Sequence, residues 1–433
     1  MSHAKAYGAF LIVLVAAVVL ARRHPRGPDS VVGWAKVLLL GCLGAGAVTW
    51  ATDTPWFGDY ESAYYPAGKL IFSAPAELYG SQCAFGFVNL PLLAVPFVPF
   101  SLFAYPLAVS LFTLVGLLCI ATSARSLANW SARSRGVAAL IFALFVVNGP
   151  LWYSVREGNS THIVLLMLIV ALGLLRSDRD GLAGVVLGLA AVVKLPLVLF
   201  VGYFGARLRV RAVLGFVSAV AAIVALSVAV HGLPLHQMWI EQCIVPYAGK
   251  PVAAFNVQSL TGFLARLYGG STYEWTPAPI GGSFQLVQRG LSLLLAGVVA
   301  GVFLRAGRPR SSSEMATEFS AFLVFLLLFS PLSWTHYFLL ALIPLALLMG
   351  GDVELPRSRA LRVTVWATAF ACSLPLRGFD MDMPGFRFVY DRLLSSHHFY
   401  GGVLLLGILL YARMQQRAGG ARVAGDAPLG GPG

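Results

Sequence analysis

Apolar runs recur along almost the whole chain, separated by short arginine-rich stretches. A membrane-crossing helix needs about 20 apolar residues at a rise of 1.5 Å each, fewer where neighbouring helices support it. On that basis residues 7–21, 34–51, 106–123, 136–155, 160–175, 182–204, 212–231, 286–305, 316–333, 337–350, 362–376 and 397–413 are candidate spans. The segment 88–103 is also apolar, but Pro91, Pro96 and Pro99 predict an interfacial or re-entrant piece rather than a clean crossing. The run 182–204 is interrupted by Lys194-Leu195-Pro196. Proline disfavours helix at the residue before it, so this run is expected to enter the membrane and return as two short halves.

Composition agrees with the pattern. Of the 433 residues, 58% are hydrophobic and 11% charged, with a mean hydropathy of +0.78. A soluble domain carries about 25% charge, so this chain cannot cover a water-facing surface. The predicted class is an all-α polytopic membrane protein. Residues 1–415 form one membrane domain with non-cytoplasmic loops at about 52–87, 232–285 and 377–396, and residues 416–433 form a flexible cytoplasmic tail.

The net charge of +13 points to orientation rather than to nucleic acid. The arginines fall in clusters at the ends of apolar runs, among them Arg22 and Arg23, Arg176 and Arg179, Arg207 to Arg211, Arg305 to Arg310, and Arg357 to Arg362. This is the positive-inside pattern. It places the loops around Asp59, Arg156–Asn159, 232–285, Trp334–His336 and 377–396 together on the non-cytoplasmic side. The run 7–21 carries its charge on the wrong flank for a cleaved signal peptide. Cys83 and Cys243 lie in two loops on that shared side, which allows a disulfide without establishing one.

Polar residues outside the basic loops are few, and an ionisable group at a span end is a candidate for function. Asp59 follows a span, in a loop that also holds Glu61, Tyr64 and Tyr65. Such a carboxylate could take a proton from a hydroxyl, or could be an ordinary solvated acid. Arg156, Glu157 and Asn159 join two spans either as a tight turn with a surface ion pair or as a polar cluster facing a cavity. Lys194 is costly if charged between two apolar half-helices, at roughly 2.5–3.5 kcal/mol on insertion scales. It either snorkels to the interface or serves as a fixed cation for a phosphate. His336 follows the break at Pro331, beside Trp334, as a belt residue or a hydrogen-bond donor to an anion. Asn256 and Gln258 either cap a helix or read hydroxyl-rich ligands. Metalloprotease, paired CxxC, Walker A, G-x-S-x-G and dinucleotide motifs are absent, and Asp380 with Asp382 is a poor basis for a divalent ion.

These landmarks, in their order, resemble glycosyltransferase family 87, the polyprenol-phosphate-mannose-dependent α-mannosyltransferases of the GT-C superfamily. The matching stretches are Asp59 to Tyr79, Phe87 to Pro96, Gly158-Asn159, Gly188 to Pro196, Asn256 to Leu260 and Ser330 to Tyr337. The resemblance implies a GT-C type bundle of about 11–13 transmembrane helices with amphipathic helices in the periplasmic-side loops. It implies an inverting, metal-independent transfer of a sugar, mannose by analogy, from a polyprenyl-phosphate donor to a hydroxyl of a glycolipid or polysaccharide. Asp59 would be the general base, with Glu61 the alternative because the spacing to the tyrosine pair is one residue longer than usual. Lys194 and His336 would hold the donor phosphate. Tyr64, Tyr65, Arg156, Glu157, Asn159, Asn256, Gln258 and Trp334 would bind substrates. No cofactor is expected, and the enzyme would sit in the plasma (inner) membrane with its site on the extracytoplasmic side. The competing reading is a secondary transporter or lipid flippase, which predicts mid-span ionisable residues and repeat symmetry; neither is evident.

Overall fold

The computed structural model describes residues 56–80, 86–131, 134–271, 275–278, 281–376 and 384–425. The candidate spans 7–21 and 34–51, together with Cys83, Asp380 and Asp382, lie outside the described residues. Within them the chain is helical, and extended backbone pairs in an isolated antiparallel bridge between Val257 and Trp334.

The first described helix, α1 (Tyr65–Ser73), is preceded by a π-helical turn over Tyr60–Tyr64. A 3-10 stretch, Pro91–Phe97, then leads through a short turn to α2 (Tyr105–Ser131). The next helices are α3 (Arg135–Val147), α4 (Gly149–Glu157), α5 (Thr161–Arg176) and α6 (Asp180–Val193). A 3-10 turn at Leu195–Leu199 opens α7 (Phe200–Ala206), and α8 (Val210–Trp239) follows. The rest comprises α9 (Leu260–Gly269), α10 (Gly282–Ala306), α11 (Ser312–Phe329), a 3-10 stretch Thr335–Ala341 leading into α12 (Leu342–Gly350), α13 (Arg359–Ser373), α14 (Pro384–Arg392) and α15 (His397–Gly425).

Among the described residues, five helices are long and apolar enough to cross a membrane: Tyr105–Ser131, Val210–Ile244, Gly282–Ala306, Ser312–Phe329 and Pro384–Ala418. A sixth arises if α3 and α4 count as one span bent by 47°. The continuous span expected at 136–155 is therefore broken, because Asn148 leaves the helix and its side chain caps the next one at Leu151 N–H, with Pro150 in the first turn. Five other apolar segments are shorter: Pro91–Ser101, Thr161–Arg176, Asp180–Val193, Leu195–Ala206 and Thr335–Gly350. The expected interruptions at 88–103 and at Lys194-Leu195-Pro196 are both present, each as a 3-10 turn led by proline. Three helices run well past the sequence pattern, and α2 does so at residue 123, ending at Ser131. α8 continues past residue 231, kinked at Gly232 and Pro234. α15 continues past residue 416, where Gln416 donates to the hydroxyls of Ser313 and Thr317 at 3.2 and 3.0 Å. Cys243 is disulfide-bonded.

The main core lies between α3, α5, α6, α11, α12 and α15, and is built of leucine, alanine and phenylalanine. α6 and α8 approach closely along Gly184, Gly188 and Gly215, where a Cβ would strike the facing backbone. A smaller aromatic core of Tyr60, Tyr64, Phe87 and Phe112 supports α1 and the turn before it.

A charged cluster lies remote from that turn. Glu318 on α11, fully buried, accepts from Arg207 at 2.7 and 2.9 Å and from Arg413 at 2.8 Å. The same arginines donate to Phe303, Ala306 and Gly307 carbonyls at the end of α10. This joins α7, α10, α11 and α15 and gives the carbonyls at the end of α10 charged donors. Replacing one member of a buried ion pair strands the other charge. Glu318→Ala is expected to destabilise the protein by about 3–5 kcal/mol, read as a lowered thermal midpoint in detergent; an unchanged midpoint would mean the cluster adds nothing to the fold.

Candidate active site

The site begins where α4 stops. Gly158 ends the helix in a left-handed conformation, φ 66°, and its amide bonds back to α4. Asn159 follows, and its side-chain oxygen accepts from the Thr161 N–H at 3.0 Å and the Thr161 hydroxyl at 2.6 Å. This Asx turn starts α5 and fixes which way the amide faces. Its oxygen is turned to Thr161, so its nitrogen points outward.

Asp59 meets that nitrogen. Asn159 Nδ2 donates to Asp59 Oδ2 at 2.6 Å. The segment carrying Asp59 is tied to α4 by the Phe57 N–H, which donates to the Arg156 carbonyl at 2.6 Å. Tyr60 packs against Gly158 so closely that a Cβ on the glycine would lie 2.6 Å from the tyrosine Cβ.

Lys194 arrives from the other side. It caps the end of α6 with extended backbone, two residues before Pro196 and just ahead of the 3-10 turn that begins at Leu195. Its ammonium donates to Asn159 Oδ1 at 3.2 Å and lies 4.6 Å from the centre of the Tyr337 ring. Asp59 and Lys194 thus grip the two ends of one amide. Amide geometry keeps the carboxylate oxygen and the ammonium nitrogen within about 8 Å of each other.

His336 is buried beside them, its ring stacked on Tyr153 at 6.3 Å, and its Nε2 has no hydrogen-bond partner among the described residues. Arg156 also approaches the Tyr153 ring, at 5.2 Å from its centre. Arg156 pairs with Glu157 at 2.6 Å, and Asn256 Nδ2 reaches the Tyr153 hydroxyl at 3.5 Å. Tyr64 joins from α1's preceding turn, its hydroxyl 3.3 Å from that of Ser160. The structure therefore brings together Asp59, Tyr64, Arg156, Glu157, Asn159, Lys194, Asn256 and His336.

Four expected residues stand apart. Glu61 is exposed, two residues further round the turn. Tyr65 points elsewhere and donates to the Phe103 carbonyl at 3.0 Å. Gln258 is fully buried with its amide bonded to the Phe255 and Ser395 carbonyls and the Phe399 N–H, so it ties the 256–258 strand to α15. Trp334 packs with Val252, Ala254 and Val257. That packing aligns the strand with Ser333 and Thr335, whose backbone groups pair with Gln258 and Asn256 at 2.6 and 2.7 Å. Tyr153 and Thr161 were not singled out from the sequence. Tyr153 lies one helical turn before Arg156 and Glu157, which is the one signal that could have found it.

Electrostatically the site is balanced, with Asp59 against Lys194 and Glu157 against Arg156. Burial is the largest influence on the Asp59 carboxyl and raises its pKa above the ordinary value of 3.8, against the lowering pull of the Asn159 hydrogen bond and of Lys194. The Asn159 amide thus bridges a carboxylate and an ammonium, groups that can in general accept a proton and balance a negative charge.

The model of glycosyltransferase family 87 matches residues 87–331, more than half of the chain, and the chain belongs to that family. It is a membrane glycosyltransferase. Asn159, Lys194 and Asn256 fall inside the matched region, and Asp59 and His336 on either side of it. The chain is similar to a polyprenol-phosphate-mannose-dependent alpha-(1-2)-phosphatidylinositol pentamannoside mannosyltransferase of Mycobacterium tuberculosis (strain CDC 1551 / Oshkosh), with 27% identity over 79% of this chain and 78% of the relative. It is likewise similar to a polyprenol-phosphate-mannose-dependent alpha-(1-2)-phosphatidylinositol mannoside mannosyltransferase of Mycobacterium tuberculosis (strain ATCC 25618 / H37Rv), with 27% identity over 73% of this chain and 76% of the relative.

Gly158 is the joint on which the cluster turns. An alanine there meets both an unfavourable positive φ and the Tyr60 Cβ. Gly158→Ala is expected to destabilise by roughly 1–2 kcal/mol and to cut turnover more than any loss of folded protein explains. Full specific activity in the folded fraction would show that this contact does not position the site.

Proposed function

We propose that the protein transfers mannose from a polyprenyl-phosphate donor to a hydroxyl of a glycolipid or polysaccharide, with inversion, on the non-cytoplasmic face of the plasma (inner) membrane. The observation that carries this reading is the hydrogen-bonded path from Asp59 through Asn159 to Lys194. The sugar comes from the printed activities of the two relatives, and the face from the positive-inside pattern.

In this reading Asp59 accepts the proton of the acceptor hydroxyl as its oxygen attacks the anomeric carbon. The bond from that carbon to the phosphate oxygen breaks on the opposite face, and the polyprenyl phosphate leaves with one more negative charge. Lys194 stabilises that charge, and the unpartnered His336 Nε2 supplies a hydrogen bond to the same group. Reacting atoms in such a displacement approach within about 3–3.5 Å, so the acceptor hydroxyl must reach the Asp59 oxygen that Asn159 does not hold. Asn256, Tyr64 and the Arg156–Glu157 pair contact the sugars. Asp59 is favoured over Glu61 because Asp59 is bonded into the cluster and Glu61 is exposed. The proposed reaction uses no metal or other cofactor.

The test is transfer by the purified protein from polyprenyl-phosphate mannose to phosphatidylinositol mannosides. Asp59→Asn is expected to abolish turnover while the protein still inserts and folds; retained turnover would remove Asp59 as base and promote Glu61. Turnover is expected to survive a chelator such as EDTA, and its loss with recovery on adding a divalent cation would refute the metal-free reading. The sign of the pH dependence also follows. A base with a raised pKa loses activity as pH falls through that value, so the acidic limb should lie above the ordinary carboxylate range. A limb at or below about 3.9 would contradict a buried Asp59 base.

A further inference from the structure

Asn159 Oδ1 is crowded. It accepts from the Thr161 hydroxyl at 2.6 Å, the Thr161 N–H at 3.0 Å and the Lys194 ammonium at 3.2 Å, although a carbonyl oxygen has only two lone pairs. The shortest of the three comes from the Thr161 hydroxyl. Thr161 is fully buried, and both of its donor groups end on this one oxygen. A primary amide whose oxygen is pinned in this way has its nitrogen direction decided too, and that nitrogen holds Asp59.

We propose that Thr161 is a positioning residue of the transfer reaction: its hydroxyl locks the Asn159 amide so that the amide nitrogen faces Asp59 and the Lys194 ammonium keeps donors free for the leaving phosphate. This rests on the reading of Asp59 as the base. Without the hydroxyl, the Asn159 oxygen is freer to take the Lys194 ammonium at shorter range, which draws it away from the phosphate. The amide also rocks about its Cβ–Cγ bond and its hold on the carboxylate weakens. Thr161 touches neither Asp59 nor Lys194 by any hydrogen bond in the structure, so it acts through Asn159.

Other groups face Asp59 as well. Lys194 lowers its pKa, while Glu157, itself paired with Arg156, shares a mutual repulsion with it. The Tyr64, Tyr153 and Tyr337 phenols are also within electrostatic reach. Of these only Lys194 shares the Asn159 amide, so a change in Asp59 titration after removal of the Thr161 hydroxyl reports that amide, through its bond to the carboxylate or its hold on the ammonium.

The experiment compares Thr161→Val, Thr161→Ser and Asp59→Asn in the full-length purified protein. Infrared titration follows the protonated carboxyl band that Asp59→Asn removes. Thr161→Val is expected to move that band's midpoint to higher pH, because the hydrogen bond that favours the carboxylate is weakened, and Thr161→Ser to leave it at the wild-type value. In transfer assays with polyprenyl-phosphate mannose and phosphatidylinositol mannosides, Thr161→Val should lower kcat about five- to tenfold with the donor KM unchanged, and Thr161→Ser should restore it. A Thr161→Val protein with the wild-type midpoint and kcat overturns the proposal. So does a Thr161→Ser protein that titrates like Thr161→Val, because the hydroxyl would then not be the cause. The reading beneath fails separately, through an Asp59→Asn protein that still transfers mannose.

Discussion

An ammonium group held among apolar helices is unfavourable unless something replaces its water. Lys194 sits in that position, at the point where α6 ends. Three features compensate for its burial: an amide oxygen, the face of the Tyr337 ring and a nearby carboxylate. Each comes from a different part of the chain, so meeting the needs of one charge draws together the α4–α5 turn, the turn before α1 and the stretch that opens α12. The cluster is therefore a consequence of where the helices break. Pro196 ends α6 beside Lys194, Gly158 ends α4 beside Asn159, and Pro331 precedes the segment carrying His336.

The Glu318 cluster applies the same physics to a different end. There two arginines contact two carboxylates, Glu318 and Glu314, and the last carbonyls of α10. At the Lys194 cluster the match is incomplete, since the His336 Nε2 has no partner and the lysine makes one hydrogen bond of the three it can make. Each arginine of the Glu318 cluster contacts a carboxylate within 2.8 Å, whereas Lys194 makes no such ion pair among the described residues and so is suited to an anionic ligand. That contrast, more than the presence of charge, separates the structural arginines from the proposed phosphate-binding lysine.

Much of this was legible in the sequence, for identifiable reasons. The breaks at 88–103 and at Lys194 follow from proline stereochemistry, which is local and therefore readable. The isolation of Asp59, Lys194 and His336 in an apolar chain marked them as candidates, and they converge. The kink at Asn148 was missed because the apolar pattern runs straight through it, and only the capping side chain reveals the change of direction. Gln258 and Trp334 were expected at the substrates because their side chains suit sugars. Their contacts depend on a long-range pairing between residues 256–258 and 333–335 that no local pattern encodes. Thr161 escaped notice because a threonine at the start of an apolar helix looks like an ordinary helix-starting residue, and only the position of Asn159 gives its hydroxyl a purpose.

The central claim is that the buried Lys194 charge exists for the phosphate of the lipid-linked sugar. The most direct test is the affinity of the purified protein for polyprenyl phosphate against the uncharged polyprenol, measured for the wild type and for Lys194→Met. The account predicts that the wild type binds the phosphate-bearing lipid more tightly and that Lys194→Met binds the two alike. An undiminished preference for the phosphate in Lys194→Met would contradict it.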